Sequence, residues 1–121
     1  MCASSDAHVG FMCGDEFYEI VIGGWSNTLS VIRKKTFNTL YGTPEARTST
    51  PGICNANKIR LFWAQALNGL VGFGKGNIIG ENIVLQWIDP NPLIPDFVGF
   101  MTGEGSSGDW NVLPDLSLRF T

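Results

Sequence analysis

Apolar residues along this chain fall into short runs rich in β-branched and aromatic side chains, a composition typical of strands. None of the runs keeps a helical period over about 11 residues or more. The runs cover residues 7–13, 17–23, 28–34, 59–67, 70–74, 83–88, 97–102 and 116–120. The pattern predicts an all-β fold, a sandwich or barrel of about eight antiparallel strands.

Turn signals separate the runs, and the clearest is Asn68-Gly69 between the runs 59–67 and 70–74. An Asn-Gly pair supplies the two positive φ angles of a type I′ turn, so these runs are predicted to form a hairpin. Residues 36–57 carry the weakest pattern, and we expect one short strand within them.

Two glycine-rich segments resemble phosphate-binding loops. In segment 72–76 every second residue is glycine, but a nucleotide fingerprint needs a helix directly after the strand, and no helical pattern follows. We interpret it as a strand that another backbone or a bulky side chain approaches closely. Gly23 and Gly24 also lack a following helix, and we expect them to let Trp25 and a neighbouring strand pack closely. The sequence therefore predicts no cofactor.

The composition limits the partners. The 121 residues form one predicted domain, 1–121, with 44 % hydrophobic and 16 % charged residues and a net charge of -3. The triplet 33–35 places its charges on alternating faces of a strand, so no basic stripe forms and no nucleic acid is expected. No apolar run approaches the ~20 residues of a membrane span, so no membrane insertion is expected.

Three cysteines, Cys2, Cys13 and Cys54, lack the CxxC spacing of a zinc site. One disulfide with one free thiol, or three free thiols, both remain open. Cys13 shares strand parity with Val9 and Phe11 and so points inward, while Cys54 lies where a neighbouring strand would begin. If one pair forms, we expect Cys13 with Cys54.

The sequence offers few candidates for catalytic residues, and their positions favour structural roles. His8 is the only histidine, no GxSxG motif accompanies it, and its strand parity predicts a solvated position. Trp63 and Trp87 lie within predicted strands, where large rings usually fill the space between sheets. The chain is therefore not expected to be an enzyme.

Trp110 differs, because it follows a polar, glycine-rich loop at 103–109 that cannot bury a large ring. A sugar has an apolar C–H face and a rim of hydroxyls, so its binder needs an aromatic plate beside carboxylates and amides. The predicted carbohydrate-binding residues, from two loops, are Asp89, Asn91, Glu104, Asp109, Trp110 and Asn111. In the alternative, Trp110 only closes one end of the fold and Asp109 makes an Asx turn.

A second aromatic and polar group comprises Trp25, Asn27 and Arg33. Asn27 tolerates left-handed geometry and is interpreted as a turn residue. Arg33 is predicted to form a buried ion pair with Glu19 across the hairpin, which would be structural.

Four ordered blocks, YEIVIGGWSNTLSVIR, LFWAQALNGLVGFGKG, IVLQWIDPNPL and FVGFMTGEGSSGDW, resemble the farnesoic acid O-methyltransferase-like domain over nearly the whole chain. The resemblance implies an antiparallel β-sandwich. The residues shared with the family are Gly23, Gly24, Trp25, Asn27, Ser30, Ile32 and Arg33, and we interpret them as determinants of the fold. The family name implies methyl transfer, which normally needs an α/β fold with a glycine-rich strand-to-helix turn.

Some marine-invertebrate lectins resemble free-standing versions of this domain. By that resemblance the chain is predicted to be a secreted or extracellular lectin for cell-surface glycans that contain galactose, such as N-acetyllactosamine. One shallow site on the loops at one end would gain avidity in a homo-oligomer, a dimer or tetramer. No metal is required, although Asp89 and Asp109 leave calcium open. The alternative is a protein-protein or structural module of the same family without sugar binding.

Overall fold

The computed structural model describes residues 7–36, 44–54, 61–102 and 110–120. The elements of these ranges are β1 (Ala7–Cys13), β2 (Glu16–Gly23), the helical turn α1 (Gly24–Asn27), β3 (Leu29–Thr36), β4 (Ala46–Ser49), β5 (Phe62–Leu67), β6 (Leu70–Lys75), β7 (Ile83–Ile88), β8 (Phe97–Thr102), β9 (Trp110–Val112) and β10 (Leu118–Phe120). Sheet A has the order β4-β3-β2-β1-β8, and sheet B has the order β7-β6-β5-β10-β9. Neighbouring strands are antiparallel throughout.

The all-β prediction is confirmed, and the choice between sandwich and barrel is settled by the edges. Each sheet ends in two edge strands, so neither closes into a barrel. The described residues hold ten strands where about eight were predicted. The expected strand within 36–57 is β4, and the unexpected one is β9. Its three residues are too few to show an alternating pattern beside a polar loop.

The predicted Asn-Gly hairpin is confirmed. Asn68 and Gly69 connect β5 to β6 with φ angles of 52° and 85°, the two positive values of a type I′ turn. A Cβ on Gly69 would lie 3.0 Å from the backbone oxygen of Asp89. The tight turn therefore also lets the chain after β7 pass close by.

The core lies between the two sheets, because alternate residues of each strand point inward. Sheet A contributes Val9, Phe11 and Ile20 among others, all fully buried. Sheet B contributes Phe62 and Phe120, whose rings stack with centroids 5.6 Å apart. Complete burial of a side chain of this size contributes about 1.5–3 kcal/mol, so the inner faces supply most of the driving force for folding.

The two tryptophans predicted for the core behave differently. Trp87 is half-buried and faces the core, with its ring edge-on to Tyr18 at 6.2 Å. Trp63 is 1 % exposed, but it points away from the core, to the outer face of sheet B. There it covers Gly74, whose added Cβ would clash with the ring, and its Nε1 donates to the Glu81 oxygen at 2.6 Å. The close approach predicted for the 72–76 glycines is thus confirmed.

One buried polar cluster ties the sheets together at the end of the sandwich where β7 finishes. Asp89 is 5 % exposed, and its carboxylate accepts hydrogen bonds from the Tyr18 hydroxyl at 2.8 Å and from Lys34 Nζ at 2.7 Å. The Tyr18 oxygen in turn accepts from the Leu93 amide at 2.8 Å. Tyr18 and Lys34 lie in sheet A, whereas Asp89 and Leu93 follow the last residues of β7, so the cluster joins both layers.

This cluster keeps its charge. Burial acts to raise the pKa of Asp89, but hydrogen bonds from Lys34, the Asn91 amide and Tyr18 lower it, and the pKa lies below its usual range. Burial, reinforced by the Asp89 carboxylate, raises the pKa of Tyr18 to about 12. At neutral pH the Asp89 carboxylate is therefore ionised and the Tyr18 phenol is protonated.

The connection from β2 to β3 is a left-handed turn. Gly23, Trp25, Ser26 and Asn27 all have positive φ angles, between 51° and 70°. For residues with a Cβ this conformation costs roughly 1–2 kcal/mol each. Trp25 is 53 % exposed, so the expectation that it packs on the glycines is wrong. A Cβ on Gly23 would instead meet the Cys54 sulfur.

Asn27 holds this turn in place. Its Nδ2 donates to the Cys54 backbone oxygen at 2.6 Å, and its Oδ1 accepts from the Cys54 backbone N–H at 2.9 Å, so the side chain makes two hydrogen bonds to one residue. The Asn27 backbone oxygen accepts from the Gly52 N–H at 2.9 Å. Ser30 Oγ accepts from the Gly23 amide at 3.1 Å. Asn27 is the turn residue that the sequence predicts, and it is also the clamp to segment 50–54.

The expected disulfide between Cys13 and Cys54 is wrong. Cys13 is a free thiol at the last position of β1, whereas Cys54 is disulfide-bonded, with a partner outside the described residues. The Cys54 sulfur lies 3.7 Å from the Ile22 oxygen, and Ile22 pairs with Ala7 at the first position of β1. Cys13 and Cys54 are thus near opposite ends of a strand about 20 Å long. A disulfide needs Cα atoms about 4.4–6.8 Å apart.

Within the described ranges, no helix has the length and apolar character needed to cross a membrane.

Tyr18→Phe is expected to lower the free energy of unfolding by about 1–3 kcal/mol, because it leaves the partly buried Leu93 amide without its acceptor and removes one donor from the buried Asp89 carboxylate. The ring and its core contacts stay. Urea unfolding followed by fluorescence measures the change. An unaltered midpoint would show that the cluster adds nothing to the contact between the sheets.

Asn27→Ala is expected to cost about 2–4 kcal/mol, because two hydrogen bonds are lost and alanine is disfavoured at φ 64°. The matched control is Asn77→Ala at an exposed loop position, where the effect should stay within about 0.5 kcal/mol. Thermal melts of both variants give the comparison. Equal melting temperatures would mean that the turn does not depend on the clamp.

Candidate functional site

The structure places the six predicted carbohydrate-binding residues in separate regions. Asp89 and Asn91 lie close together after β7, where the Asn91 backbone N–H donates to Asp89 Oδ1 at 2.9 Å. The Asn91 backbone oxygen accepts from Lys34 Nζ at 2.7 Å. Trp110 and Asn111 are the first residues of β9. Glu104 and Asp109 lie outside the described residues.

The two groups are at opposite ends of sheet B. Trp110 pairs with Phe120, which pairs with Phe62 at the first position of β5. Asp89 follows Ile88, which pairs with Leu70. Leu70 in turn pairs with Leu67, the last residue of β5. Along the six residues of β5 these positions are about 17 Å apart. The structure therefore does not bring Asp89 and Asn91 together with Trp110 and Asn111, and the Asp89 carboxylate is already occupied by hydrogen bonds within the protein.

A different set of residues forms a shallow pocket of about 260 Å³ on the outer face of sheet A. The lining residues come from β1, β2 and β8, and we call the site the outer-face pocket; they are His8, Val9, Gly10, Met12, Phe17, Glu19, Gly99 and Phe100. Strand alternation explains the set, because Gly10 lies opposite both Glu19 and Gly99. Three neighbouring strands thus present one carboxylate beside two positions without side chains.

The floor of the pocket is apolar. A Cβ on Gly99 or on Gly10 would lie 2.8 or 3.1 Å from the Met12 methyl group, so this methyl covers both glycines. Phe17 is half-buried beside it and carries the Lys35 ammonium 5.7 Å from its ring centroid. A side chain at either glycine would displace Met12 and fill the pocket.

At one side of the pocket, Glu19 is held by Arg33, Lys35 and His8. We call these four residues the Glu19 cluster. Oε1 lies 3.4 Å from Arg33 Nη1 and 3.5 Å from Lys35 Nζ, while Oε2 lies 3.5 Å from His8 Nδ1. The side chains are mostly buried, with 18 % of Glu19 and 17 % of Arg33 exposed. The predicted ion pair between Glu19 and Arg33 is confirmed, and the structure adds His8 and Lys35.

The Glu19 cluster fixes the charge of the carboxylate. Hydrogen bonding with His8 lowers the pKa most, burial opposes it, and the charges of Lys35, His8 and Arg33 lower it further, to about 2. Glu19 is therefore ionised at any physiological pH and acts as a permanent acceptor rather than as a proton donor. Two of its three partners stand on β3, so the oxygens are oriented before any ligand arrives.

A second pocket, of about 290 Å³, lies where segment 49–53 approaches Lys75 and Val84. Its described lining contains no aromatic or acidic side chain. It offers neither a flat apolar surface nor an anionic acceptor, so the outer-face pocket is the better candidate for a polar organic ligand. Among the described residues, no group of three or more His, Cys, Asp or Glu side chains is placed to hold a metal ion.

Sequence reasoning missed the outer-face pocket for a definite reason. It paired Glu19 with Arg33 correctly, but it expected a solvated His8, whereas the His8 side chain is only 27 % exposed and lies 3.5 Å from Glu19. The pocket forms only because β1 also pairs with β8, about 90 residues later, which sets Gly10 opposite Gly99. A local pattern carries no signal for a pairing of that separation.

Glu19 is expected to make folding stability depend on acid pH. Its pKa falls from 4.5 to about 2 on folding, so its contribution is complete above about pH 5 and is lost as the pH falls toward 2. At about 1.4 kcal/mol per pKa unit, the wild type should lose about 2 kcal/mol more than Glu19→Gln between pH 6 and pH 3. Urea titrations at both pH values measure this, with Glu81→Gln, an exposed glutamate, as control. Parallel pH curves for Glu19→Gln and the wild type would contradict it.

Comparisons with known proteins bear on the family and on nothing finer. Searches of curated proteins and of solved structures each found no significant match. The family model described as farnesoic acid O-methyl transferase matches residues 1–114, which is nearly the whole chain. With its two antiparallel sheets and this match, the chain belongs to the farnesoic acid O-methyl transferase family.

Proposed function

We propose that the chain is a carbohydrate-binding protein, a lectin, and that the outer-face pocket is its binding site. The observation that carries the proposal is the ionised, pre-oriented Glu19 carboxylate beside an apolar floor of Met12 and Phe17. A sugar offers hydroxyls that donate to such a carboxylate and a C–H face that packs on such a floor. A pocket of this size admits one sugar ring and leaves the rest of a glycan outside.

Within this proposal, the ligands are galactose-containing glycans such as N-acetyllactosamine. The support is the resemblance to marine-invertebrate lectins and the chemistry of galactose itself. Its axial 4-hydroxyl gathers the C–H groups on the opposite face into one apolar patch, which suits a methionine and phenylalanine surface. Its hydroxyl edge would then turn toward Glu19.

Binding without catalysis is part of the proposal, although the family name refers to methyl transfer. The segment that resembles a nucleotide fingerprint lies largely in β6, which is paired with β5 and with β7 along its length. Gly74 in this strand makes room for Trp63, so its lack of a side chain has a packing reason. A carboxylate with a pKa of about 2 cannot act as a general acid at neutral pH.

A shallow one-ring site binds weakly, so we propose that the lectin acts as a dimer or tetramer. Linked sites raise effective affinity by about a hundredfold or more. Among the described strands, sheet A ends in β4 and β8 and sheet B ends in β7 and β9, and edge strands of this kind can pair with another copy.

The second candidate function is a protein-protein module, and one surface favours it. Ile88 and Ile94 are 70 % and 83 % exposed around the end of edge strand β7. Large apolar side chains at an edge are typical of surfaces that bind other proteins. Free sugar would compete with a glycan-dependent partner and would leave such a contact unaffected.

A glycan array with the recombinant protein tests the proposal, followed by calorimetry with the best ligand. Glu19→Gln should weaken binding about 10-fold to 100-fold, the loss typical of a charge-assisted hydrogen bond, while Glu81→Gln should not change it. Trp110→Ala tests the site that the sequence predicts on the loop ending at Trp110. Binding that depends on Trp110 and not on Glu19 would move the site there, and binding to no glycan at high protein concentration would refute the lectin function.

A further inference from the structure

The left-handed turn between β2 and β3 holds a tryptophan, Trp25, whose side chain lies outside the hydrophobic core. Trp25 is 53 % exposed, although it stands at φ 51° in a run of left-handed residues. The core cluster does not include its side chain. Backbone strain persists only where the surroundings enforce it, and exposed aromatic rings in such places are typical of binding surfaces.

The Trp25 ring is held over the Glu19 cluster. Its centroid lies 5.3 Å from Arg33 Cζ, and the same guanidinium reaches Glu19 with Nη1 at 3.4 Å. The remaining Arg33 Nε is buried and has no hydrogen-bond partner among the described residues. Ring, guanidinium and carboxylate therefore form a continuous line on the outer face of sheet A that ends in the outer-face pocket.

The length of this line follows from the sheet. Gly10 under the pocket is on β1, Glu19 is on β2 and Arg33 is on β3, at paired positions. Neighbouring strands are about 4.8 Å apart, so the Arg33 backbone lies about 10 Å from Gly10, and the Arg33 side chain spans the space between Glu19 and the Trp25 ring. Trp25 does not line the outer-face pocket, so only a glycan that extends beyond the ring in the pocket would pack on it.

We propose that Trp25 is a second subsite, a plate on which a further sugar ring of the same glycan packs while the terminal ring occupies the outer-face pocket. The inference rests on the proposed lectin function. Arg33 supports one side of the indole, and the exposed surface is left for the C–H face of a sugar.

The turn makes this plate rigid in advance. Asn27 clamps the turn to Cys54 with two hydrogen bonds, and Thr28 Oγ1 donates to the Trp25 oxygen at 2.6 Å. A ring fixed before binding loses little conformational freedom when the ligand arrives, so its contacts add to affinity. The strain in the turn and the exposure of the ring then have one common explanation.

Calorimetry with two probes tests the subsite, galactose alone and the tetrasaccharide of two N-acetyllactosamine units. We expect the wild type to bind the tetrasaccharide at least about tenfold more tightly than galactose. Trp25→Ala should remove this advantage and leave galactose affinity within about twofold, while Trp25→Phe should keep part of it. Ile78→Ala, which changes a similarly exposed apolar residue (57 %), is the matched control and should change neither affinity.

Fluorine NMR of protein labelled with fluorotryptophan covers the case in which Trp25→Ala folds poorly. The Trp25 resonance, identified by its loss in Trp25→Phe, should shift with the tetrasaccharide and stay in place with galactose. A wild-type preference that survives Trp25→Ala, or no preference at all, overturns the subsite and leaves the lectin function standing. No binding of either sugar by the wild type overturns both. A Trp25 resonance that moves only with a protein ligand assigns the ring to protein recognition instead.

Discussion

The buried contact between Asp89, Tyr18 and Lys34 is the constraint on which the rest of this sandwich depends. Two apolar sheets can slide over each other with little change in buried area, but a buried carboxylate is stable only where its donors are. Because Tyr18 and Lys34 stand in sheet A and Asp89 follows β7 of sheet B, the cluster fixes the register between the layers. Removing one partner would leave another polar group buried and unpaired.

Fixing the layers from inside leaves the outer face of sheet A free to carry chemistry. Apart from the polar cluster, its inward residues are mostly apolar, while its outward residues include Glu19, whose pKa is lowered to about 2. Arg33 connects both regions of the outer face, since it pairs with Glu19 and supports the Trp25 ring. The same strands thus form the core on one side and the proposed binding surface on the other.

The sequence predicted what depends on neighbours along the chain. The Asn68-Gly69 turn, the alternation in β1 and the Glu19–Arg33 pair are all local or one hairpin apart, and all are confirmed. It failed where distant segments decide. Cys13 has the inward parity expected of it but lies at the wrong end of β1. Trp63 is buried on the outer face of sheet B, against Gly74 and the Glu81 backbone oxygen, rather than between the sheets. The outer-face pocket also needs Gly10 and Gly99 to meet, which no local pattern announces.

The pairing of β1 with β8 has a consequence for the order in which the molecule becomes functional. Residues 8–19 are synthesised before the wall of the pocket at Gly99, which lies far along the chain from them. Contacts of this separation close late and slowly, because the entropy of a long loop must first be lost. Without β8, β1 would be an open strand edge and the outer-face pocket would lack its wall at Gly99. Binding at the proposed site would therefore report that sheet A is complete.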